Sequence, residues 1–323
     1  MKKTKEKILV IGAGAWGTSL ANLMAKNSYE VFLSSNSSPT IKEINEKKTN
    51  SIFLPKIKLS ENLSAISGFK GDVDFVFIVV PSANAKKLFE KIAKGKFKKN
   101  AIFVICSKGI EQSSLMILSD AFEKITRIKN YAVVSGPNFA LEVANEMPTI
   151  TSVAAKKKKT AEKVIKILNN TYFQARYFKD PRTAEICGVM KNIIAIGCGL
   201  VDGLELGVNA KSALVMKGIS EIQTLCKKLK ASDEINSAAG FGDIFLTCSS
   251  SKSRNNSLGK LIAQGKSPEA GKTYEGMVSA KSIAAMAKKM KLKLDLCETI
   301  HEILSSNFSA KEIEKKIVTA ILK

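Results

Sequence analysis

"KILVIGAGAWG", residues 7–17, decides the fold. A short apolar run ends in glycines spaced as GxGxxG: Gly12, Gly14 and Gly17. An apolar run of this length, stopped by glycine, predicts a strand buried on both faces. A helical pattern follows to about Asn27, then a second strand-like run, "EVFLS". Strand, glycine turn, helix and strand make a βαβ unit, the context in which GxGxxG binds a dinucleotide. Gly12 permits the tight turn, Gly14 lets a pyrophosphate approach the backbone, and Gly17 lets helix pack closely on strand. The helix N-terminus then faces the diphosphate. The alternative is a glycine-rich turn that binds nothing.

Outward from this unit, strand-like runs recur at 73–80, 101–107, 131–136, 149–155 and 172–178. Helical patterns lie between most of them, at 84–94, 114–125 and 157–169. Continuous apolar strands alternating with helices predict a parallel sheet covered on both faces. Near Asp180-Pro181 the pattern changes to helical periodicity: 182–200, 210–229, 254–264, 276–290, 295–305 and a last helix from Ser309. The expected fold class is α/β: a Rossmann-like parallel-sheet domain over 1–180, then an all-α domain over 181–323.

The 323 residues are enough for two such cores, and 45% of them are hydrophobic, so the chain is expected to fold. No apolar run is read as reaching the roughly 20 residues of a membrane span. The lysines at the start precede an apolar stretch as in a signal peptide, but the glycines cut that stretch short. A cytoplasmic protein is expected. Cys106, Cys187, Cys198, Cys226, Cys248 and Cys297 form no CxxC pair, and His301 is the sole histidine. That pattern argues against a zinc site and against a disulfide scaffold. The net charge of +22 raises nucleic-acid binding, but the excess is spread along the chain, overwhelmingly as Lys, without interleaved aromatics. A lysine-rich solvated surface that attracts anionic substrates is the better account.

Three further strands are expected to deliver polar turns to one sheet edge, where ligands bind in such folds. They are Pro81-Ser82 in "VVPSANAKKLF", Lys108 in "CSKGI" and Gly136-Pro137-Asn138 in "SGPNFALEV". In the helical half, "ICGVMKNIIAIGCG" (186–199) reads as a buried helix with one charge inside it, Lys191. A buried ammonium costs several kcal/mol unless something compensates it. Apart from Ile194, its helical neighbours Ala184, Cys187, Gly188, Ala195 and Cys198 are small, leaving space beside the charge for a ligand. Snorkelling to the surface is the alternative. "AAGFGDIFLTC" offers Asp243 as the partner that keeps Lys191 charged, or else as a helix cap. "SKSRNNSLGKLI" places Ser253, Arg254 and Asn255 at a helix start, an anion site. With only four arginines against 47 lysines, an Arg here suggests bidentate grip on a phosphate.

The second strand ends "LSSNS" (33–37) without the carboxylate that would grip the ribose 2′-hydroxyl of NAD and repel a 2′-phosphate. No Arg stands there to grip a 2′-phosphate, a part that would fall to Lys residues, so NADP is expected to be tolerated or preferred. Taken with "GAGAWGTSLA", "SKGIE", "DGLELGVNAKSALV" and "YEGM", these motifs closely resemble the bacterial NAD(P)-dependent glycerol-3-phosphate dehydrogenases over nearly the whole chain. The resemblance implies reduction of dihydroxyacetone phosphate to sn-glycerol 3-phosphate, the phospholipid precursor, by a cytoplasmic homodimer using NADP or NAD. It implies Lys191 as the proton donor and acceptor. Lys108, Gly136, Asn138, Asp243, Ser253, Arg254 and Asn255 would line the substrate site. Ala15, Trp16, Asn36, Phe53, Lys108, Ala140, Arg254 and Glu275 would contact the cofactor. Family members usually carry Ser where Asn138 stands, "LWxR" where "LSSN" stands, and often Tyr where Phe53 stands.

The reaction expected is hydride transfer to the ketone carbon with protonation of its oxygen by Lys191, supported by Asp243 and Lys108. Rival readings are another two-domain reductase of a phosphorylated or acidic substrate, and a non-catalytic NAD(P)-binding regulator. The regulator would need neither Lys191 nor Asp243.

Overall fold

The computed structural model describes residues 6–250, 252–268 and 273–323. Residues 1–5, which hold most of the basic cluster weighed above as a leader, lie outside the described residues. Among the described residues the strands are β1 (Lys7–Ile11), β2 (Glu30–Ser34), β3 (Leu63–Ile66), β4 (Phe75–Ile78), β5 (Ile102–Ile105), β6 (Ile110–Glu111), β7 (Met116–Ile117), β8 (Tyr131–Ser135), β9 (Thr149–Ala154) and β10 (Phe173–Phe178). In the first half the helices are α1 (Ala15–Lys26), α2 (Ser38–Lys47), α3 (Ala85–Lys94), α4 (Leu118–Thr126), α5 (Ala140–Ala144) and α6 (Lys158–Leu168). The second half holds α7 (Pro181–Gly203), α8 (Gly207–Lys228), α9 (Asp243–Ser249), α10 (Arg254–Ala263), α11 (Glu275–Met290), α12 (Asp295–Ser305) and α13 (Ala310–Leu322).

The chain divides into two compact units, but not at one point near 180. The first runs to Ser107 and resumes over Leu118–Ala184; the second comprises Lys108–Ile117 and Glu185–Lys323. The short excursion at 108–117 is an antiparallel ribbon, β6 against β7. Its Ile110 and Ile117 are buried in the core of the helical unit, which is why the segment belongs there. The expected helix over 114–125 therefore starts only at Leu118, and the second unit carries two short strands beside its helices.

The first unit is one eight-stranded sheet in the order β10-β9-β8-β5-β4-β1-β2-β3. All pairings are parallel except β8 with β9. Ile8, Leu9 and Val10 of β1 are fully buried, as a strand covered on both faces requires. The carboxyl ends of β1, β2, β4, β5 and β8 lie along one edge, so the glycine loop and the turns at Pro81, Ser107 and Gly136 emerge there.

The second unit is built around α7. Asp180 caps its start by accepting from the Arg182 N–H at 2.9 Å, and Pro181 takes the first helical position, where no N–H is needed. By length and a mean hydropathy of 1.6 this helix could cross a membrane, contrary to the sequence expectation. Its apolar stretch is wholly buried in the fold, as in the core helix of a globular unit. Backbones meet where α7 crosses α10: a Cβ on Gly199 would fall 2.0 Å from the Asn256 carbonyl oxygen, and one on Gly259 2.1 Å from that of Ile196. Only glycine on both helices allows this approach, and it fixes the start of α10 beside the middle of α7.

Candidate functional site

The glycine loop of the first unit is a cradle defined by missing side chains. Gly12 has φ +115°, and a Cβ there would lie 2.2 Å from the Val79 carbonyl oxygen. A Cβ on Gly17 would lie 1.8 Å from the carbonyl oxygen of Gly12. At Gly14 the same construction meets nothing within 4 Å. The first and third glycines are thus needed by the fold, whereas the second leaves open space at the N-cap of α1. That space, against the N–H groups of a twelve-residue helix, suits a dinucleotide diphosphate.

Ala15 and Trp16 open α1, with Trp16 packed partly into the sheet core. Asn36 is exposed just beyond β2, and Phe53 is 46% exposed. Pro81 leads into a 3-10 turn, Ser82–Asn84, and Ala140 begins α5. Asn50 was missed by sequence reasoning. Its Nδ2 donates to the Ala13 carbonyl at 3.0 Å and to Thr18 Oγ1 at 2.8 Å, bracing the loop from outside. Nothing local in "KKTNSIF" signals this, because the contact spans more than thirty residues.

Gly136 and Asn138 occupy the turn between β8 and α5. The Asn138 amide is committed to β9: Nδ2 donates to the Ile150 carbonyl at 3.1 Å, and Oδ1 accepts from Thr151 Oγ1 at 2.9 Å. It belongs to the sheet unit, not to the cluster around Lys191.

That cluster lies within the helical unit. Lys191 is 7% exposed and Asp243 is fully buried. Asp243 Oδ1 accepts from Lys191 Nζ, and Oδ2 accepts from Lys108 Nζ at 2.8 Å. Lys191 also donates to Thr247 Oγ1 at 3.0 Å, while that hydroxyl donates to the Asp243 carbonyl at 2.6 Å. Lys191 is therefore compensated by a carboxylate rather than by snorkelling. Thr247 is the fourth member, legible in "GDIFLTC" as the residue four positions after Asp243 on one helix face.

Two ammonium groups on one carboxylate divide the protons unequally. Burial pushes Lys191 down, and although Asp243 pulls it back up, the charge on Lys108 lowers it further, to about 8. Lys108, with 22% of its side chain exposed, also meets a burial penalty, but the charge and hydrogen bond of Asp243 outweigh it and hold Lys108 above its usual value. Burial opposes ionisation of Asp243 as well, yet the two lysines keep its carboxyl below the ordinary range. The result is a buried ammonium that can release a proton near neutral pH beside two groups that stay charged.

The α10 start is tied to this cluster. Asn255 Nδ2 donates to the Oδ1 of Asn192, the residue after Lys191, at 3.0 Å. Asn255 Oδ1 accepts from the Gly276 N–H at 3.1 Å, bringing in the start of α11 beside Glu275. Ser253 is the N-cap, its Oγ accepting from the Asn256 N–H at 3.3 Å. Arg254 is exposed and donates to the Thr273 carbonyl at 3.2 Å, leaving most of its guanidinium to other acceptors. The Glu275 charge helps hold Lys108 protonated. Among the described residues no group of His, Cys, Asp or Glu could hold a metal ion, and no cysteine is in a disulfide.

Comparison with known proteins decides the identity of this arrangement. The N-terminal domain of NAD-dependent glycerol-3-phosphate dehydrogenase matches residues 7–161, and its C-terminal domain matches residues 180–315. The chain belongs to the NAD-dependent glycerol-3-phosphate dehydrogenase family. It is 36% identical to the glycerol-3-phosphate dehydrogenase [NAD(P)+] of Citrifermentans bemidjiense, with 98% of each chain covered. It is 34% identical to that of Parvibaculum lavamentivorans, over 93% of this chain and 92% of the relative. Among solved structures it is similar to glycerol-3-phosphate dehydrogenase from Coxiella burnetii, with a TM-score of 0.91 and 29% identity, covering 97% of this chain and 99% of that one. Membership in this dehydrogenase family fits the glycine cradle and the buried lysine alike.

Proposed function

We propose that this chain reduces dihydroxyacetone phosphate to sn-glycerol 3-phosphate, reversibly, with NADPH or NADH, supplying the backbone of glycerophospholipids. The observation that carries the reading is Lys191, a buried ammonium poised near neutral pH between Asp243 and Thr247, in a chain of this dehydrogenase family. The cradle around Gly14, with Gly12, Gly17, Ala15 and Trp16, holds the dinucleotide diphosphate; Asn36, Phe53, Pro81 and Ala140 of the same unit are further cofactor contacts, and Glu275 of the helical unit is another that the family resemblance supports. When bound, the reduced nicotinamide supplies the hydride that the ketone carbon accepts.

Lys191 donates a hydrogen bond to the ketone oxygen and transfers its Nζ proton as alkoxide charge develops. The oxygen gains the proton and the carbon the hydride, so the ketone becomes a secondary alcohol. Asp243 and Thr247 hold the amine in line, and the nearby Lys108 charge favours its neutral form after transfer. In the reverse direction neutral Lys191 accepts the hydroxyl proton. Arg254, Ser253 and Asn255 at the α10 start hold the phosphate, where a planar fork and a helix N-terminus suit a dianion. In the sheet unit, Gly136 and Asn138 shape the turn between β8 and α5, a further substrate contact that the family resemblance supports.

The buried, unbridged cysteines fit a reducing, cytoplasmic compartment. The family resemblance supports a homodimer, and the dispersed positive charge supports a small anionic substrate rather than nucleic acid. The deciding assay follows loss of reduced-nicotinamide absorbance with dihydroxyacetone phosphate, with a 2-keto acid and a sugar nucleotide as comparisons. Consumption with the phosphorylated ketone is expected. Consumption only with a 2-keto acid, or none together with a salt-sensitive nucleic-acid gel shift, overturns the reading.

A further inference from the structure

We propose that Lys70 supplies the cation for the 2′-phosphate of NADP, so that this chain prefers NADP over NAD. The inference rests on reading the sheet unit as the dinucleotide site. It concerns the end of β2, where coenzymes with and without a 2′-phosphate are distinguished.

The first observation is the composition of that end. Residues 32–41, "FLSSNSSPTI", contain no acidic side chain. Glu43, the next carboxylate along, is committed elsewhere: it accepts from Thr49 Oγ1 and from the Ser51 N–H, each at 2.8 Å. Nothing there matches the carboxylate that would take a ribose 2′-hydroxyl and repel a phosphate. The turn offers donors instead. Asn36 is exposed, and Ser37 caps α2, a ten-residue helix whose N-terminus favours negative charge.

The second observation is a cation placed beside that turn by a separate segment. Ser34 Oγ donates to the Gly68 carbonyl at 2.7 Å, and the Ser35 N–H donates to the Ile66 carbonyl at 3.0 Å. These bonds strap residues 66–68 to the end of β2. Two residues further on, the Lys70 ammonium lies over the Phe32 ring, 3.5 Å from its centroid. Phe32 shares a strand face with Ser34, and two strand residues span about 7 Å, within the reach of a lysine side chain. Among the described residues Lys70 has no carboxylate partner. A cation–π contact is weaker than a pairing with a phosphate dianion, so the ammonium can leave the ring for a stronger partner. A lysine strapped next to an acid-free, donor-rich turn is the arrangement a 2′-phosphate needs.

The test titrates the full-length protein calorimetrically with adenosine 2′,5′-bisphosphate and with AMP, a readout independent of turnover. We expect the bisphosphate to bind at least about tenfold tighter at low salt, with the advantage shrinking as salt rises. Lys70→Met is expected to remove most of that advantage while leaving AMP affinity unchanged, and Lys70→Arg to keep it. Asn36→Asp is expected to reverse the order of the two ligands. Equal affinities in the unaltered protein overturn the proposal. So does a Lys70→Met protein that keeps its preference, or that weakens for both ligands equally, which would mark Lys70 as a packing residue on Phe32. If neither nucleotide binds, the reading of this unit as a dinucleotide site fails and the proposal falls with it. AMP binding without discrimination defeats the proposal alone.

Discussion

The two units meet charge with opposite materials. In the sheet unit the proposed anion cradle is backbone: Gly12, Gly14 and Gly17 carry no side chain, and Asn50 braces them from outside. In the helical unit the proposed chemistry is held by long side chains, with Lys191, Lys108 and Asp243 brought together and two of the three buried. The difference follows from the task. Holding a diphosphate needs fixed N–H dipoles, which never change protonation. Moving a proton needs a group that does change, and tuning it near neutrality needs burial with a compensating partner. The sheet unit is therefore damaged by adding atoms, and the helical unit by removing them.

The largest expected effect is on the side-chain half of this contrast. Lys191→Met should lower kcat by ~10²–10⁴-fold, the usual contribution of a general acid, while AMP affinity stays within about twofold. Steady-state kinetics and calorimetry read the two separately. A variant that turns over at the original rate removes Lys191 from the mechanism. Next, Asp243→Asn should destabilise the protein by ~3–5 kcal/mol, because it leaves two lysines without their shared counter-charge in a buried place. Urea denaturation measures this. Replacing the whole group, Lys108→Met with Lys191→Met and Asp243→Leu, should recover most of that stability and none of the activity. If the triple variant is as unstable as the single one, uncompensated charge was not the cause.

The parts of this contrast that could be read from sequence are those whose signal is local. The glycine spacing, the buried strands and the lone lysine in "GVMKNIIAI" each announce themselves within ten residues. α2 and β3 did not. α2 buries only Thr40 and Ile44, and β3 is a four-residue edge strand with alternating burial, so neither has the apolar density that marked the central elements. The reversal of β9 against β8 was equally hidden, since strand direction depends on connections rather than on strand composition. So was the ribbon at 108–117, two residues a side. At the site, Asp243 was legible as a partner for Lys191. The commitment of one carboxylate to two lysines was not, because Lys108 joins from 135 residues away. Asn255 reads from sequence as a phosphate ligand; that its side chain also ties α10 to α7 and α11 was not legible, because those partners lie 63 and 21 residues away.

The backbone half of the contrast is sharpened by one comparison inside the loop. Gly17→Ala forces a Cβ against the Gly12 carbonyl and should cost ~1–3 kcal/mol of stability, as overpacking does. Gly14→Ala meets no protein atom and should cost less than about 1 kcal/mol, yet its methyl group fills the space proposed for the diphosphate. Its AMP affinity should change little, while affinity for the full dinucleotide falls about tenfold. Thermal melts and calorimetry on both variants check this. Equal loss of stability in the two would show that Gly14 serves packing rather than a ligand.

The smallest effect displaces a profile without abolishing it. In the proposed mechanism reduction needs Lys191 protonated, so kcat/KM for dihydroxyacetone phosphate should fall as pH rises through about 8, the value burial and its neighbours set. Oxidation of glycerol 3-phosphate needs the neutral amine and should rise through the same pH. The profile of kcat/KM reports the free enzyme, where no substrate phosphate perturbs the amine. Lys108 is one of the groups that lowers Lys191, and it also shares the Asp243 carboxylate. Lys108→Met removes a like charge and leaves Asp243 wholly to Lys191, and both changes favour the ammonium. The alkaline limb for reduction should therefore move to higher pH, whatever happens to the absolute rate. A limb that stays in place would mean that Lys108 and Lys191 do not share charge through Asp243. One that moves to lower pH would mean that some group other than Lys191 carries the proton.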